Sequence, residues 1–309
     1  MTTQTTAAAS GRFTLGGDLR VNRLGFGAMR LAANALTGPA RDPETGIKVL
    51  RQAVDAGVDH IDTAGFYARG DVRANDLIRT ALSPYAADLL IATKVGPLPG
   101  PDGIPTGQAG PEQLRGLLTE DLRALGLDRF GLVYLRVGGT DGPGGESVAE
   151  RFAALAELRE EGLIRHLGIS NVDVAQLDEA LGVAPVVAVQ NQYHVHRHDD
   201  AAVLARCAEH GIAYVPFFPL GGGHDPIDHA RLAQVARRYD ATTAQVALAW
   251  LLATAPNMLA IPGTGSPAHL AENIAAAGLR LDAADLAELT PATAAFTKRS
   301  AVRTAAQGT

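Results

Sequence analysis

Short apolar runs rich in β-branched residues alternate along the chain with longer stretches of helical spacing. The runs are residues 24–29 (LGFGAM), 60–64 (HIDTA), 89–96 (LLIATKVG), 130–137 (FGLVYLRV), 164–171 (IRHLGISN), 186–192 (VVAVQNQ), 212–219 (IAYVPFFP) and 258–265 (MLAIPGTG). They are apolar at successive rather than alternate positions, the pattern of parallel strands covered on both faces. Helical spacing follows each run, over 45–57, 74–82, 111–125, 147–162, 173–182, 199–210, 228–238 and 267–277. Pro111 stands at a helix start, where its missing N–H costs nothing. Gly57, Gly126, Gly162 and Gly211 are placed to close helices. Two further helical stretches, 242–255 and 283–291, lie outside the count.

Eight strand–helix units over about 250 residues predict an α/β fold with a single (β/α)8 barrel. A doubly wound sheet would need a domain boundary or a glycine fingerprint after the first strand, and the sequence has neither. Ahead of the first run, RFTL-GGD-LRVNRL reads as a hairpin with a Gly-Gly-Asp turn, placed to plug the N-terminal mouth. Residues 96–111 and 138–145 have loop composition. Both follow strands, which puts them on the C-terminal face where barrel active sites are built. The expected organisation is a frayed arm at 1–11, a barrel over 12–295 and a tail at 296–309 that either lies over the active site or is disordered.

Composition narrows the function. The 309 residues are 47% hydrophobic and 19% charged, which excludes a disordered chain. A net charge of -6 lacks the basic footprint of a nucleic-acid binder. One cysteine implies no disulfide framework. No run reaches the ~18 apolar residues of a membrane span, and the start, MTTQTTAAASG, lacks a signal-peptide pattern. The expectation is a soluble cytoplasmic protein acting on a small molecule, with no nucleic-acid or membrane partner. Its oligomeric state is not encoded in any motif.

Basic residues are the first anomaly: three lysines (Lys48, Lys94, Lys298) stand against 24 arginines. Lys94 lies within an apolar strand, and Asp62 ends the neighbouring one. A buried ammonium needs an anion nearby. The pair is either a structural tie between strands or a device that tunes a third group. Tyr67, five residues after Asp62, is the candidate third group. Coulomb attraction at ~4 Å is worth about 4 kcal/mol at an effective dielectric near 20. Half of that lowers a pKa by more than about one unit. Tyr67 is therefore expected to be acidified into a general acid toward a carbonyl oxygen.

Asp-Thr-Ala with a tyrosine five after the aspartate, and Thr-Lys in the next strand, resembles the aldo-keto reductases. The resemblance runs from about residue 12 to 291 and includes GLIRHLGISN, VQNQY and IPGTGSPAHLAEN. It implies NADP(H), with NAD(H) the alternative, and hydride transfer between nicotinamide and an aldehyde or ketone, or the reverse alcohol oxidation. It places Asp62, Tyr67 and Lys94 on catalytic positions. Ser170, Asn171 and Gln190 fall where the nicotinamide carboxamide is held, and Phe217 where an aromatic ring stacks on it. Gly27, Ala28, Met29, Pro219, Leu220 and the Gly221–Gly222–Gly223 loop fall along the cofactor path. Gly263, Thr264, Ser266, His269, Glu272 and Asn273 fall where the adenosine end is held; without the other motifs, that segment reads as an ordinary strand-to-helix turn.

Two departures stand out. Where the family has a histidine ending strand four, this chain has Arg136, a permanent cation with five donors. It either adds to the acidification of Tyr67 and polarises the carbonyl, or grips a substrate anion, or turns aside to pair with an acid such as Asp141. Acidification favours alcohol oxidation at moderate pH. Against the cofactor 2′-phosphate, Gly263 and His269 replace the usual basic residues. Two other functions stay open: a nicotinamide-binding regulatory subunit with little turnover, and a biosynthetic enzyme using the site for elimination or cyclisation.

Other residues carry no chemistry in this reading. His194, His196 and His198 alternate in a way that suits zinc, but they are read as solvated loop, with Asp199 capping the next helix, and no metal is expected. Cys207 and Trp250 read as helical core, and His60 as a barrel-layer residue.

Overall fold

The structure, a computed structural model, describes residues 5–33, 38–100, 103–139, 142–223, 227 and 230–290. An antiparallel hairpin of β1 (Arg12–Leu15) and β2 (Leu19–Asn22) comes first. Its turn places Gly16 and Gly17 at φ 58° and 84°, a left-handed conformation that glycine adopts without strain. The barrel strands follow: β3 (Phe26–Gly27), β4 (His60–Asp62), β5 (Leu90–Val95), β6 (Phe130–Arg136), β7 (Ile164–Ser170), β8 (Val186–Gln190) and β9 (Ala213–Tyr214). They form one parallel sheet in sequential order, each strand beside the next.

The run predicted at 258–265 closes the barrel without forming a continuous strand. Single parallel bridges join Leu24 to Ala260 and Tyr214 to Met258. Beyond them Gly27 and Gly263 approach so closely that a Cβ on Gly263 would stand 2.3 Å from the Gly27 carbonyl oxygen. The proline at 262 has no N–H for a ladder, so pairing thins out here.

Among the described residues, eleven helices surround the sheet: α1 (Met29–Ala32), α2 (Pro43–Asp55), α3 (Ala74–Leu82), α4 (Pro111–Leu125), α5 (Ala149–Glu160), α6 (Val174–Val183), α7 (Ala201–Glu209), α8 (Ala230–Arg238), α9 (Thr243–Thr254), α10 (Pro267–Ala275) and α11 (Ala283–Leu289). Their ends follow local chemistry. Asp42 caps α2, with Pro43 as its first residue, and Gly126 closes α4 at φ 69°. The two extra helices predicted outside the eight-fold count are α9 and α11, and the short α1 is a third.

The hairpin is a plug. Leu15 and Val21 join Leu90, Leu132, Tyr134, Val187 and Leu259 in a cluster inside the barrel, separate from the larger core between strands and helices. Asp18 at the hairpin turn pairs with Arg165 at 2.7 Å and with His166 at 2.6 Å.

Three expectations are corrected. Residues 7–10, placed in a frayed arm, form a 3-10 turn with Ala7 fully buried, because Ala7 N–H donates to Ala56 O and Ser10 Oγ accepts from Leu24 N–H. The histidine stretch is only partly solvated, with His196 exposed. His194 is fully buried, and the His198 ring lies 4.9 Å from Trp250, with its Nε2 2.7 Å from Val195 O. Asp200, not Asp199, holds the N-cap position of α7, without a capping bond, because its carboxylate accepts from Asn191 and Tyr214 instead. Cys207 and Trp250 are buried as expected, and burial pushes the Cys207 thiol up to about 12. His60 is buried against Gly25. The tail at 296–309 and Asp141 lie outside the described residues.

Candidate active site

The C-terminal ends of β4 and β5 bring Asp62 and Lys94 together, since Asp62 pairs with Ala92 in the sheet register, two residues before Lys94. Lys94 Nζ donates to Asp62 Oδ1 at 2.5 Å and to Thr63 O at 3.1 Å. Both side chains are buried. Gln190, at the end of β8, donates from Nε2 to Asp62 Oδ2 at 2.8 Å. The carboxylate is thus saturated by an ammonium and an amide, the condition for holding a buried charge.

Tyr67 sits in the turn after β4, its N–H on Ala64 O at 3.0 Å. Lys94 Nζ lies over its ring, 4.9 Å from the centroid, where its charge acts on the phenol. Burial opposes the Lys94 charge, but Asp62 and Tyr67 outweigh it and raise its pKa, so it stays an ammonium.

The expected acidification of Tyr67 is reversed. Burial raises its pKa, Asp62 adds to the rise, and the opposing pull of Lys94 and Arg136 is smaller. Coulomb attraction to a cation counts for less than expected because the cation arrives with its own carboxylate. The phenol is held protonated.

Arg136, at the end of β6, points inward. Its guanidinium lies 4.8 Å from the Phe217 ring centroid, and its nitrogens donate to Gly139 O at 3.0 Å and Ser170 Oγ at 3.5 Å. No carboxylate among the described residues pairs with it. Burial lowers its pKa to about 10, which leaves it charged at neutral pH.

A cleft opens above this group. Of the residues expected along the cofactor, Gly27, Met29, Gln190, Phe217, Pro219, Leu220 and Gly263 line it, together with Asp62 and Tyr67. Gly221–Gly223 form a 3-10 turn at its rim. Ala28 is buried and donates to Asp62 O. Ser170 is fully buried, and the Asn171 amide NH2 is taken up by Val137 O, Gly139 O and Gly142 O. In the last segment, the Thr264 and Ser266 hydroxyls accept from Ser266 N–H and His269 N–H, so both serve the start of α10. His269 is exposed, Glu272 half-buried and Asn273 buried.

Sequence reasoning misses two arginines. Arg30 lines the cleft and donates to Gly222 O. Arg41 lies over Gly265, where a Cβ would stand 2.6 Å from its Cδ. Its Nε is buried without a hydrogen-bond partner among the described residues. These cations come from the segment after β3, and each meets a turn far away in sequence, Arg30 at Gly222 and Arg41 at Gly265, with no local signal linking them.

A parallel barrel with a tyrosine over a buried ammonium–carboxylate pair at its C-terminal mouth is an oxidoreductase scaffold. The family model described as the Aldo/keto reductase family matches residues 23–224 and 228–293, and the chain belongs to that family. It is 48% identical over 276 residues to pyridoxine 4-dehydrogenase of Escherichia coli, covering 88% of this chain and 95% of that one. An uncharacterised oxidoreductase of Schizosaccharomyces pombe is 37% identical, over 88% of this chain and 87% of its own length. Among solved structures, a thermostable aldo-keto reductase bound to epalrestat matches with TM-score 0.75 and 29% identity over 90% of this chain and 98% of that one. An aldo-keto reductase from Klebsiella pneumoniae in complex with NADPH matches with TM-score 0.74 and 25% identity over 94% of each chain.

Proposed function

We propose that this protein is an NADP(H)-dependent reductase of pyridoxal-type aldehydes, and a dehydrogenase of the matching alcohols, with Tyr67 as general acid and base. The observation that carries this reading is the chain of contacts Tyr67–Lys94–Asp62 at the floor of the cleft. The relative at 48% identity supports the substrate class.

The residues present fit the cofactor. Gln190 Oε1 is buried and has no partner among the described residues, an acceptor suited to a carboxamide NH2. Phe217 offers a ring face for stacking. Arg30 and Arg41 are the residues placed to hold phosphate, and their like charges act on each other. When bound, the reduced nicotinamide supplies the hydride. Tyr67 gives its proton to the carbonyl oxygen, and the tyrosinate left behind faces Lys94 and Arg136. Asp62, held by Gln190, keeps Lys94 charged through the step.

Arg136 favours a substrate with an anionic oxygen beside the carbonyl. A pyridoxal-type ring carries such an oxygen next to its aldehyde. A planar fork of N–H donors reaches both oxygens, which one imidazole does not.

NADPH oxidation with pyridoxal and a panel of other carbonyls, wild type beside Tyr67→Phe, tests the reading. The expected result is turnover that the variant loses by about 100-fold or more, with NADPH binding kept. Binding of NADPH without turnover on any carbonyl would point instead to a regulatory subunit. Conversion of substrate without NADPH oxidation would point to elimination or cyclisation.

A further inference from the structure

Asp62 and Lys94 face into the barrel. Their chain neighbours Thr63 and Thr93 face the opposite way, as successive strand residues do. Behind the strands both hydroxyls enter one buried cluster. Thr93 Oγ1 donates to Asp121 Oδ2 at 2.6 Å, and Thr63 Oγ1 donates to Asn75 Oδ1 at 2.7 Å. Asn75 Nδ2 then donates to Asp121 Oδ1 at 3.1 Å. Gly65 packs directly against the carboxylate: a Cβ on it would stand 2.3 Å from Asp121 Oδ1. All four side chains are buried. The proton and hydride steps described above do not use Asp121.

We propose that Asp121 is a positioning residue of the reaction: acting through Thr63, Thr93 and Gly65, its carboxylate sets the spacing of Asp62 and Lys94 and the start of the turn that carries Tyr67. Two donors, Thr93 Oγ1 and Asn75 Nδ2, take one oxygen each, and an ionised carboxylate accepts from both. An amide or a protonated carboxyl offers fewer acceptors and brings a donor of its own, so one member of the cluster must let go.

Burial raises the carboxyl to about 6, and Glu120 on the same helix adds to the rise. Thr93, Gly65 and Asn75 pull against it, and the charged group of α3 that reaches α4 is Arg79, on the Arg123 carbonyl. Tyr67, held protonated, contributes no acid limb of its own in this range. Asp200, also raised to about 6, sits with Asn191 and Tyr214 behind β8 and is untouched by changes at Asp121.

The inference rests on the proposed function only for the reaction assayed. The experiment measures kcat and KM for aldehyde reduction from pH 5 to 9 in wild type, Asp121→Asn and Asp121→Ala. NADPH affinity is read by fluorescence, and amide hydrogen exchange is followed over 63–67. Wild-type kcat is expected to fall on the acid side near pH 6. Asp121→Asn is expected to lose about tenfold in kcat at pH 7.5, the scale of a small misplacement of reacting groups. It loses the acid limb and exchanges faster over 63–67, while NADPH affinity holds within about twofold and exchange over the hairpin 12–22 is unchanged. An Asp121→Asn protein that keeps the wild-type kcat, acid limb and exchange overturns the proposal. If Asp121→Ala does not fold, the asparagine variant decides. A wild type idle toward every carbonyl defeats the functional reading alone, and the exchange over 63–67 still decides the role of Asp121.

Discussion

At the scale of single residues, the site is a set of charges whose order of importance the structure fixes. Tyr67 keeps its proton because burial and Asp62 together exceed the pull of two cations. A phenol held this way is a standing donor, which suits reduction. It does not support the idea that Arg136 shifts the balance toward oxidation by acidifying the tyrosine. Under the proposed function Arg136 acts on the substrate: it meets a ring face and two neutral oxygens but no carboxylate among the described residues. Arg136→His is therefore expected to lower kcat/KM for aldehydes with an ionised oxygen beside the carbonyl by ten- to a hundredfold, the value of about 1.5–3 kcal/mol for a charge-assisted hydrogen bond. Benzaldehyde-like substrates lacking that oxygen should change little. Paired kinetics on pyridoxal and an unsubstituted aromatic aldehyde check this, and an equal loss on both would remove the selectivity from Arg136.

At the scale of elements, the periodic parts of the sequence are legible and the contacts between distant loops are not. Helices α3 and α4 occupy 74–82 and 111–125 as expected, because their apolar stripes and end residues are local signals. The eighth strand is shorter than its apolar run suggests. The run is real, but Pro262 and the Gly27–Gly263 approach leave only single bridges there. The proposed catalytic residues Asp62, Tyr67, Lys94 and Arg136 are readable because each lies at the end of a recognisable strand or a short turn beyond it. Asp121 also has a signal in the sequence. It falls on the buried stripe of α4 with Leu114, Leu118, Leu122 and Leu125, where a carboxylate needs a reason. Arg41 has none, as its neighbour Gly265 is brought to it only by closure of the barrel. Under the proposed function Arg41 is the cation for the 2′-phosphate that Gly263 and His269 do not provide. Arg41→Ala is expected to weaken NADPH binding about tenfold or more, as loss of a charge-assisted contact does, and to leave NADH binding nearly unchanged. Titrating both cofactors against the variant checks it, and equal weakening of the two would place Arg41 away from the 2′-phosphate.

At the scale of the whole molecule, the buried carboxylate behind the catalytic strands carries a cost that pH reveals. Asp121 has a folded-state pKa of about 6 against an ordinary value of 3.8. The folded state therefore binds more protons than the unfolded state between about pH 4 and 6, and stability from this group falls as pH rises through that window. Above about pH 6 the group is ionised in both states and the loss is complete. At roughly two units, it comes to about 3 kcal/mol. An amide at this position carries no such charge, so Asp121→Asn should gain stability relative to wild type on going from pH 5 to pH 8. Denaturant midpoints at the two pH values measure this, and a difference that is the same at both would mean Asp121 is not titrating in the folded protein. The same substitution is expected to slow the reaction. A variant that is steadier at pH 8 yet slower would show that the barrel keeps a destabilising charge for what it does to the Asp62–Lys94 spacing.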